Sequence, residues 1–210
     1  MKNGFILLTA ILSIFFFGCQ KEADLQGIST NGNAGTSGSG AIDLSGTWKF
    51  ISFHAKTLAT NEVVAGAYTM KTVTTSDYTS ENNTGTVVFN TNSMSYDNLS
   101  YSINTVAFAS TYENGVLIDT LSVPMQANLP ATKGQSNFTA IGADSLYFQG
   151  GSTMFGASSQ TTKPSGVKIK REQDKLYLTQ KVAESNNTTV QGQTVKSNQQ
   201  AEIVTTFQKQ

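Results

Sequence analysis

The 210-residue chain carries 14 basic and 14 acidic side chains, so its formal net charge is zero. That leaves no basic footprint for phosphates and excludes a nucleic-acid partner. Ser, Thr, Asn and Gln supply 80 residues, Thr alone 28, which points to an all-β domain with a hydroxyl-rich exterior.

Residues 1–18 read as an export leader. Lys2 is followed by an apolar run from Phe5 to Phe17, broken only by Thr9 and Ser13. The run is too short for a membrane span of about 20 residues and fits an export core of roughly 7 to 15. It ends at Gly18-Cys19, and Cys19 is the chain's single cysteine, so an internal disulfide and a multi-cysteine metal site are excluded. Phe16-Phe17-Gly18-Cys19 resembles the lipobox of bacterial lipoproteins, with Phe16 where Leu is usual. The resemblance implies cleavage before Cys19, acylation of Cys19 and a membrane partner held through lipid, since two or more acyl chains anchor firmly. Gln20 in place of Asp implies sorting to the outer membrane. Lys21-Glu22-Ala23-Asp24 resembles the surface-export stretch of Bacteroidetes lipoproteins; a plain solvated linker is the alternative. Residues 19–41 form the linker, and Gln26 to Gly40 holds mainly Gly, Ser, Thr and Asn without apolar period. About 25 residues of such coil have a mean reach of about 25–30 Å.

Residues 42–210 read as one domain. Period-2 alternation predicts strands at Gly46 to His54, Ala65 to Thr75, Gly85 to Asn90, Met94 to Tyr96, Leu99 to Ile103 and Thr105 to Tyr112. Asn114-Gly115 predicts a hairpin returning as Val116 to Val123, because both residues tolerate positive φ. Pro124 and Pro130 predict a break. Strands follow at Phe138 to Ile141 and Ser145 to Gln149, around Gly142-Ala143-Asp144. A glycine-rich loop spans Gly150 to Gly166, and the last strands are Val167 to Arg171, Lys175 to Val182, Thr189 to Lys196 and Ala201 to Gln208. Asp144-Ser145-Leu146-Tyr147-Phe148 echoes Asp174-Lys175-Leu176-Tyr177-Leu178, as repeated hairpins would. Eight to ten antiparallel strands joined by local turns must hide their edges, and closure into a barrel does so.

Leu44-Ser45-Gly46-Thr47-Trp48-Lys49-Phe50 resembles the Gly-x-Trp start of lipocalin-like barrels, most of all the lipocalin-like domain lipoproteins of the Bacteroidetes type. Gly85 to Phe89 and Leu176-Tyr177-Leu178 resemble later strands of that family. The resemblance implies an antiparallel meander closing into a β-barrel, with Trp48 at its base and an arginine stacked on the tryptophan. The only arginine is Arg171, which is not in the final strand, and Lys209 is the other cation available.

No catalytic set emerges. His54 is the only histidine; strict alternation places it on the face of Trp48, Phe50 and Ser52. With Cys19 acylated, Ser–His, Cys–His and His-cluster zinc arrangements have no candidates. The acidic residues are scattered through predicted turns with no spacing that suggests glycoside hydrolysis or calcium binding. No enzyme, metal or cofactor is expected. The leading expectation is a lipid-anchored envelope protein whose barrel binds a small apolar or amphipathic ligand through Trp48, Phe50, His54, Tyr68, Met70, Met94, Tyr96 and Phe108; Met125, Tyr147 and Met154 are further lining candidates. The alternative is a structural or interaction lipoprotein whose surface binds a protein or a glycan, with Tyr101, Tyr112 and Phe155 as candidate aromatics. Asp119-Thr120-Leu121 and Asp144-Ser145-Leu146 resemble glycosylation sites of exported Bacteroidetes proteins.

Overall fold

The structure, a computed structural model of the chain, describes residues 43–151 and 164–210. The expected leader, Cys19, the whole linker and most of the glycine-rich loop, with Met154 and Phe155, lie outside the described residues.

Ten strands build the described body: β1 Gly46–Ala65, β2 Tyr68–Thr79, β3 Glu81–Phe89, β4 Ser93–Glu113, β5 Val116–Asn137, β6 Thr139–Ile141, β7 Ser145–Phe148, β8 Ser165–Glu172, β9 Lys175–Val190 and β10 Gln193–Lys209. Every pairing is antiparallel, as the composition and alternation imply. β2 and β3 make one pass between β1 and β4, interrupted at Ser80. There the Ser80 N–H donates to the Phe53 carbonyl at 2.9 Å, and the Phe53 N–H donates to Ser80 Oγ at 2.9 Å. β5 and β6 follow one another with only Phe138 between them. Counted by passes, the described residues form an eight-strand meander, and β1 pairs with β10, so the first and last of these strands meet. A ring of hydrogen bonds runs through β1, β2, β4 and β3; the step from β5 to β6 is covalent.

One interior explains the rolling. Trp48 and Phe50, Val87 and Phe89, Met94 and Tyr96, Leu146 and Phe148, Val167 and Ile169, and Leu176 and Leu178 are buried i, i+2 pairs from six strands. With Phe207 they form one hydrophobic cluster. Each such side chain contributes about 1.5–3 kcal/mol on burial. Two glycines permit the packing. Tyr96 lies over Gly134 of β5, where a Cβ would overlap the ring. Gly85, at φ +108°, lies so close to β4 that a Cβ there would stand 2.6 Å from Leu99 Cα.

Three sequence expectations need correction. The prolines do not break the chain: β5 runs through Pro124 and Pro130. Among the described residues this stretch is paired only with β4, and a strand bonded on one side accommodates a residue without an N–H on the other. The predicted strand Ala65 to Thr75 is strand from Tyr68 onward, in β2, but starts across a turn at Gly66-Ala67, and the predicted strand Thr189 to Lys196 straddles the turn at Gln191-Gly192 that separates β9 from β10. Positive φ at Gly66, Gln191 and Gly192 makes those turns, a local signal overridden by the apolar alternation around it. Third, alternation along β1 is reset by a bulge between Phe50 and Ser52, where Ile51 has no partner on β10. Phe53 and Ala55 therefore point inward, and His54 points out.

Candidate functional site

The long strands continue past the core. Beyond the packed end, β9, β10, β1, β2, β4 and β5 lie side by side in that order as an open sheet. Its hairpin tips are held together where the Asn114 N–H donates to the Thr69 carbonyl at 2.8 Å and the Thr69 N–H donates to Asn114 Oδ1 at 2.9 Å. Pairing carries each face across all six strands. The face continuous with the packed interior includes Thr57, Asn61, Ser76, Tyr78, Ala107 and Ala201; the opposite face includes Lys56, Leu58, Asp77, Phe108, Lys181 and Glu202. The first set is buried or half-buried and the second exposed.

The sequence-predicted ligand residues fall in three places. Trp48, Phe50, Met94 and Tyr96 pack against one another's neighbours in the closed end. Phe50 and Phe207 rings lie 6.0 Å apart, Phe89 and Phe138 6.3 Å, and Phe138 and Phe148 5.8 Å. Tyr68 and Met70 sit on the inner face near the distal turn, beside Ala65 and Val63. His54 and Phe108 face outward; Phe108 is 60% exposed. His54 Nε2 stands 2.5 Å from Asp77 Oδ1, and that hydrogen bond, aided by Lys56, holds the Asp77 carboxyl below the usual carboxylate range. Of the glycan candidates, Tyr101 and Tyr112 are half-buried.

At the base, the cations settle around the tryptophan. Arg171 Cζ stands 5.6 Å and Lys209 Nζ 5.5 Å from the Trp48 ring centroid. Trp48 Nε1 donates to the Leu44 carbonyl at 2.8 Å, and Arg171 Nη1 donates to the Asp43 carbonyl at 2.8 Å.

Four residues that sequence reasoning missed, and Tyr101, which it offered only for a glycan, line the junction between the packed end and the open sheet. Tyr78, Tyr101, Ile103, Leu129 and Ile203 are partly buried against the core, all on the inner face. Tyr101 meets Phe53 edge-on at 4.8 Å and Phe50 at 6.3 Å; Tyr78 meets Phe53 at 6.0 Å. Burial, with a smaller contribution from Tyr78, pushes the Tyr101 phenol up to about 12, and burial also raises Tyr78. Both phenols therefore stay protonated as neutral hydroxyls at physiological pH. Just above them Thr57 Oγ1 and Ser76 Oγ share a hydrogen bond of 2.6 Å. The floor is thus aromatic and aliphatic, and one wall carries hydroxyls. The alternation Leu99-x-Tyr101-x-Ile103 was visible in the sequence, but which side is the interior depends on the register across β4 and β5.

A separate open groove of about 540 Å³ crosses β1, β10 and β9, lined by Lys56, Leu58, Lys181, Ala183, Gln200 and Glu202 among others. Those six side chains share the outer face, where Lys181 and Glu202 pair at 3.0 Å. Among the described residues no group of three His, Cys, Asp or Glu side chains could hold a metal ion.

No family model matches the chain, and no curated protein matches it. Among solved structures, the attachment invasion locus protein Ail of Yersinia pestis is similar at 8% identity with a TM-score of 0.17, over 78% of this chain and 100% of that one. A likeness of that size carries no argument about fold or function.

Proposed function

We propose that the chain is a lipid-anchored, non-catalytic binding protein of the cell envelope, a lipocalin-like barrel that seats a small amphipathic molecule on the inner face of its open end. The observation that carries this reading is the set of Tyr78, Tyr101, Ile103, Leu129 and Ile203, side chains packed against the core yet only partly buried on the inner face. The Trp48 base with its two cations supports the lipocalin-like kinship. Anchoring rests on the Gly18-Cys19 leader. The test is to purify the mature protein from host membranes and measure its intact mass, then extract it with organic solvent and identify what is released. A diacylglyceryl-modified Cys19 and a stoichiometric small molecule that the Ile103→Arg variant fails to retain are expected. An unacylated protein in the medium would refute the anchor, and an empty extract from a folded protein would refute the binding role.

A second reading, contact with a protein or glycan, is favoured by the β4–β5 hairpin. Val116, Leu117, Ile118 and Leu121 are 66, 51, 51 and 56% exposed. Clustered exposed apolar side chains mark interaction surfaces. A Leu117→Asp variant that retains the small molecule but loses a cross-linked envelope partner would establish this reading.

A further inference from the structure

The open sheet ends at β5, and the far side of that strand is unpaired among the described residues. Two observations fix which backbone groups point outward there. The Thr120 N–H donates to Asp119 Oδ1 at 2.8 Å rather than to β4. Pro124, an even step along, has no N–H to give. In an antiparallel ladder alternate residues exchange both bonds with the neighbouring strand, and those between them point both groups away. The pairing with β4 is regular from Asp119 to Pro124, so Thr120, Ser122 and Pro124 are the outward residues. All three offer carbonyls to this edge, but only Ser122 offers an open N–H, because Thr120 is capped and Pro124 lacks one.

Sheet edges are commonly guarded by charge and proline. Pro124 and Pro130 guard the part of β5 nearer the packed end, whereas Val116 to Val123 carries Asp119 as its one charged residue. Exposed apolar side chains flank that stretch on both faces, with Leu117, Phe108 and Val106 on one and Leu121 on the other. The carboxylates of Glu113 and Asp119 have no cationic partner among the described residues. Lys71, on the rung of Tyr112, lies two strands from β5 and on the opposite face from Asp119.

We infer that the edge of β5 from Val116 to Pro124 docks an extended basic and apolar segment of another protein, which joins the sheet as a further strand. This sharpens the contact role of the β4–β5 hairpin proposed above and rests on it. Outward carbonyls and unpaired carboxylates make the edge electronegative. Lysine or arginine in the segment supplies the missing charge, and its backbone N–H groups take the carbonyls. Its alternate apolar side chains cover Leu117 on one face and Leu121 on the other. A second copy of this chain fits less well, because it would bring Glu113 and Asp119 against their own kind.

The experiment measures fluorescence anisotropy of short labelled peptides on the full mature protein in a non-ionic detergent, at about pH 7, where carboxylates are ionised. The probes are a peptide of alternating valine and lysine, its valine and glutamate counterpart, and the valine and lysine peptide N-methylated at every residue. The first is expected to bind, and the other two about tenfold more weakly or not at all. Ser122→Pro removes the one open donor without touching the bonds to β4, and should weaken the first peptide about tenfold while the melting temperature holds. Should that variant fail to fold, the N-methylated peptide carries the same test. If Leu117→Asp abolishes binding while N-methylation and Ser122→Pro leave it unchanged, the contact role stands and strand addition is overturned. Equal binding of the lysine and glutamate peptides overturns the basic character of the partner. A folded protein that binds none of the peptides overturns the inference, and the cross-linking test of the hairpin contact is then read on its own. Dimerisation of the protein that Ser122→Pro abolishes would name a second copy as the occupant and overturn the assignment.

Discussion

Replacing Phe207 with alanine tests where the stability of this protein resides. Phe207 is fully buried in the last strand, directly opposite Phe50 across the β1–β10 pairing that brings the chain's ends together. Its ring lies 6.0 Å from Phe50 and 6.4 Å from Phe89. Removing a buried phenyl ring costs about 3–5 kcal/mol, because transfer energy is lost and the surrounding walls collapse only partly. Against a total stability of about 5–15 kcal/mol, that is a large share. With a urea slope of about 2 kcal/mol per molar, the midpoint should fall by about 1.5–2.5 M. Trp48, the chain's only tryptophan and fully buried, reports the transition by its emission. Val63→Ala, which trims a half-buried side chain of the open sheet, should cost under about 1 kcal/mol. A midpoint shift below about 0.5 M for Phe207→Ala, or an equal shift for Val63→Ala, would refute the view that the packed end alone supplies the stability.

Three further outcomes follow from the same geometry. Gly85→Ala combines an unfavourable φ of +108° with a Cβ 2.6 Å from the Leu99 backbone, and should cost about 1–3 kcal/mol in the same titration. Arg171→Ala removes a cation 5.6 Å from the Trp48 ring and the donor to the Asp43 carbonyl; a loss of about 1 kcal/mol and a red shift of Trp48 emission are expected, with a smaller shift for Lys209→Ala. The hydrogen bond from His54 lowers Asp77 below its ordinary 3.8, so that contribution is present above pH 3.8 and disappears as pH falls through the lower folded value. Asp77→Asn should therefore lower the melting temperature at pH 6 and match the native protein in strong acid; a gap that persists there would refute the linkage.

The antiparallel meander could be read from the sequence because its evidence is local. Pairs such as Trp48-x-Phe50 and Leu176-x-Leu178 announce strand and interior together. The Asn114-Gly115 hairpin is likewise written in two residues. What could not be read depends on partners far along the chain. His54 follows Phe50 by an even step, so alternation turns it inward; the unpaired Ile51 turns it outward, and no property of Ile51 alone announces a bulge. Pro124 and Pro130 read as breakers until β5 is seen to bond on one side only. The predicted ligand residues scattered for a related reason. Trp48, Phe50 and Met94 fill the closed end, and the open end is floored by Tyr78, Tyr101, Ile103, Leu129 and Ile203, whose facing depends on register.

The way the chain enters the body bears on how a ligand would reach it. Asp43 and Leu44 are pinned at the packed end by Arg171 and Trp48. From there β1 runs 20 residues to its distal turn, on the order of 60 Å at about 3.3 Å per residue. If Cys19 is acylated as proposed, the linker's mean reach of about 25–30 Å is shorter than that strand. The proposed anchor would thus join the body at its packed end, while the hairpin turns at Gly66-Ala67 and Gln191-Gly192 close the other ends of the same long strands.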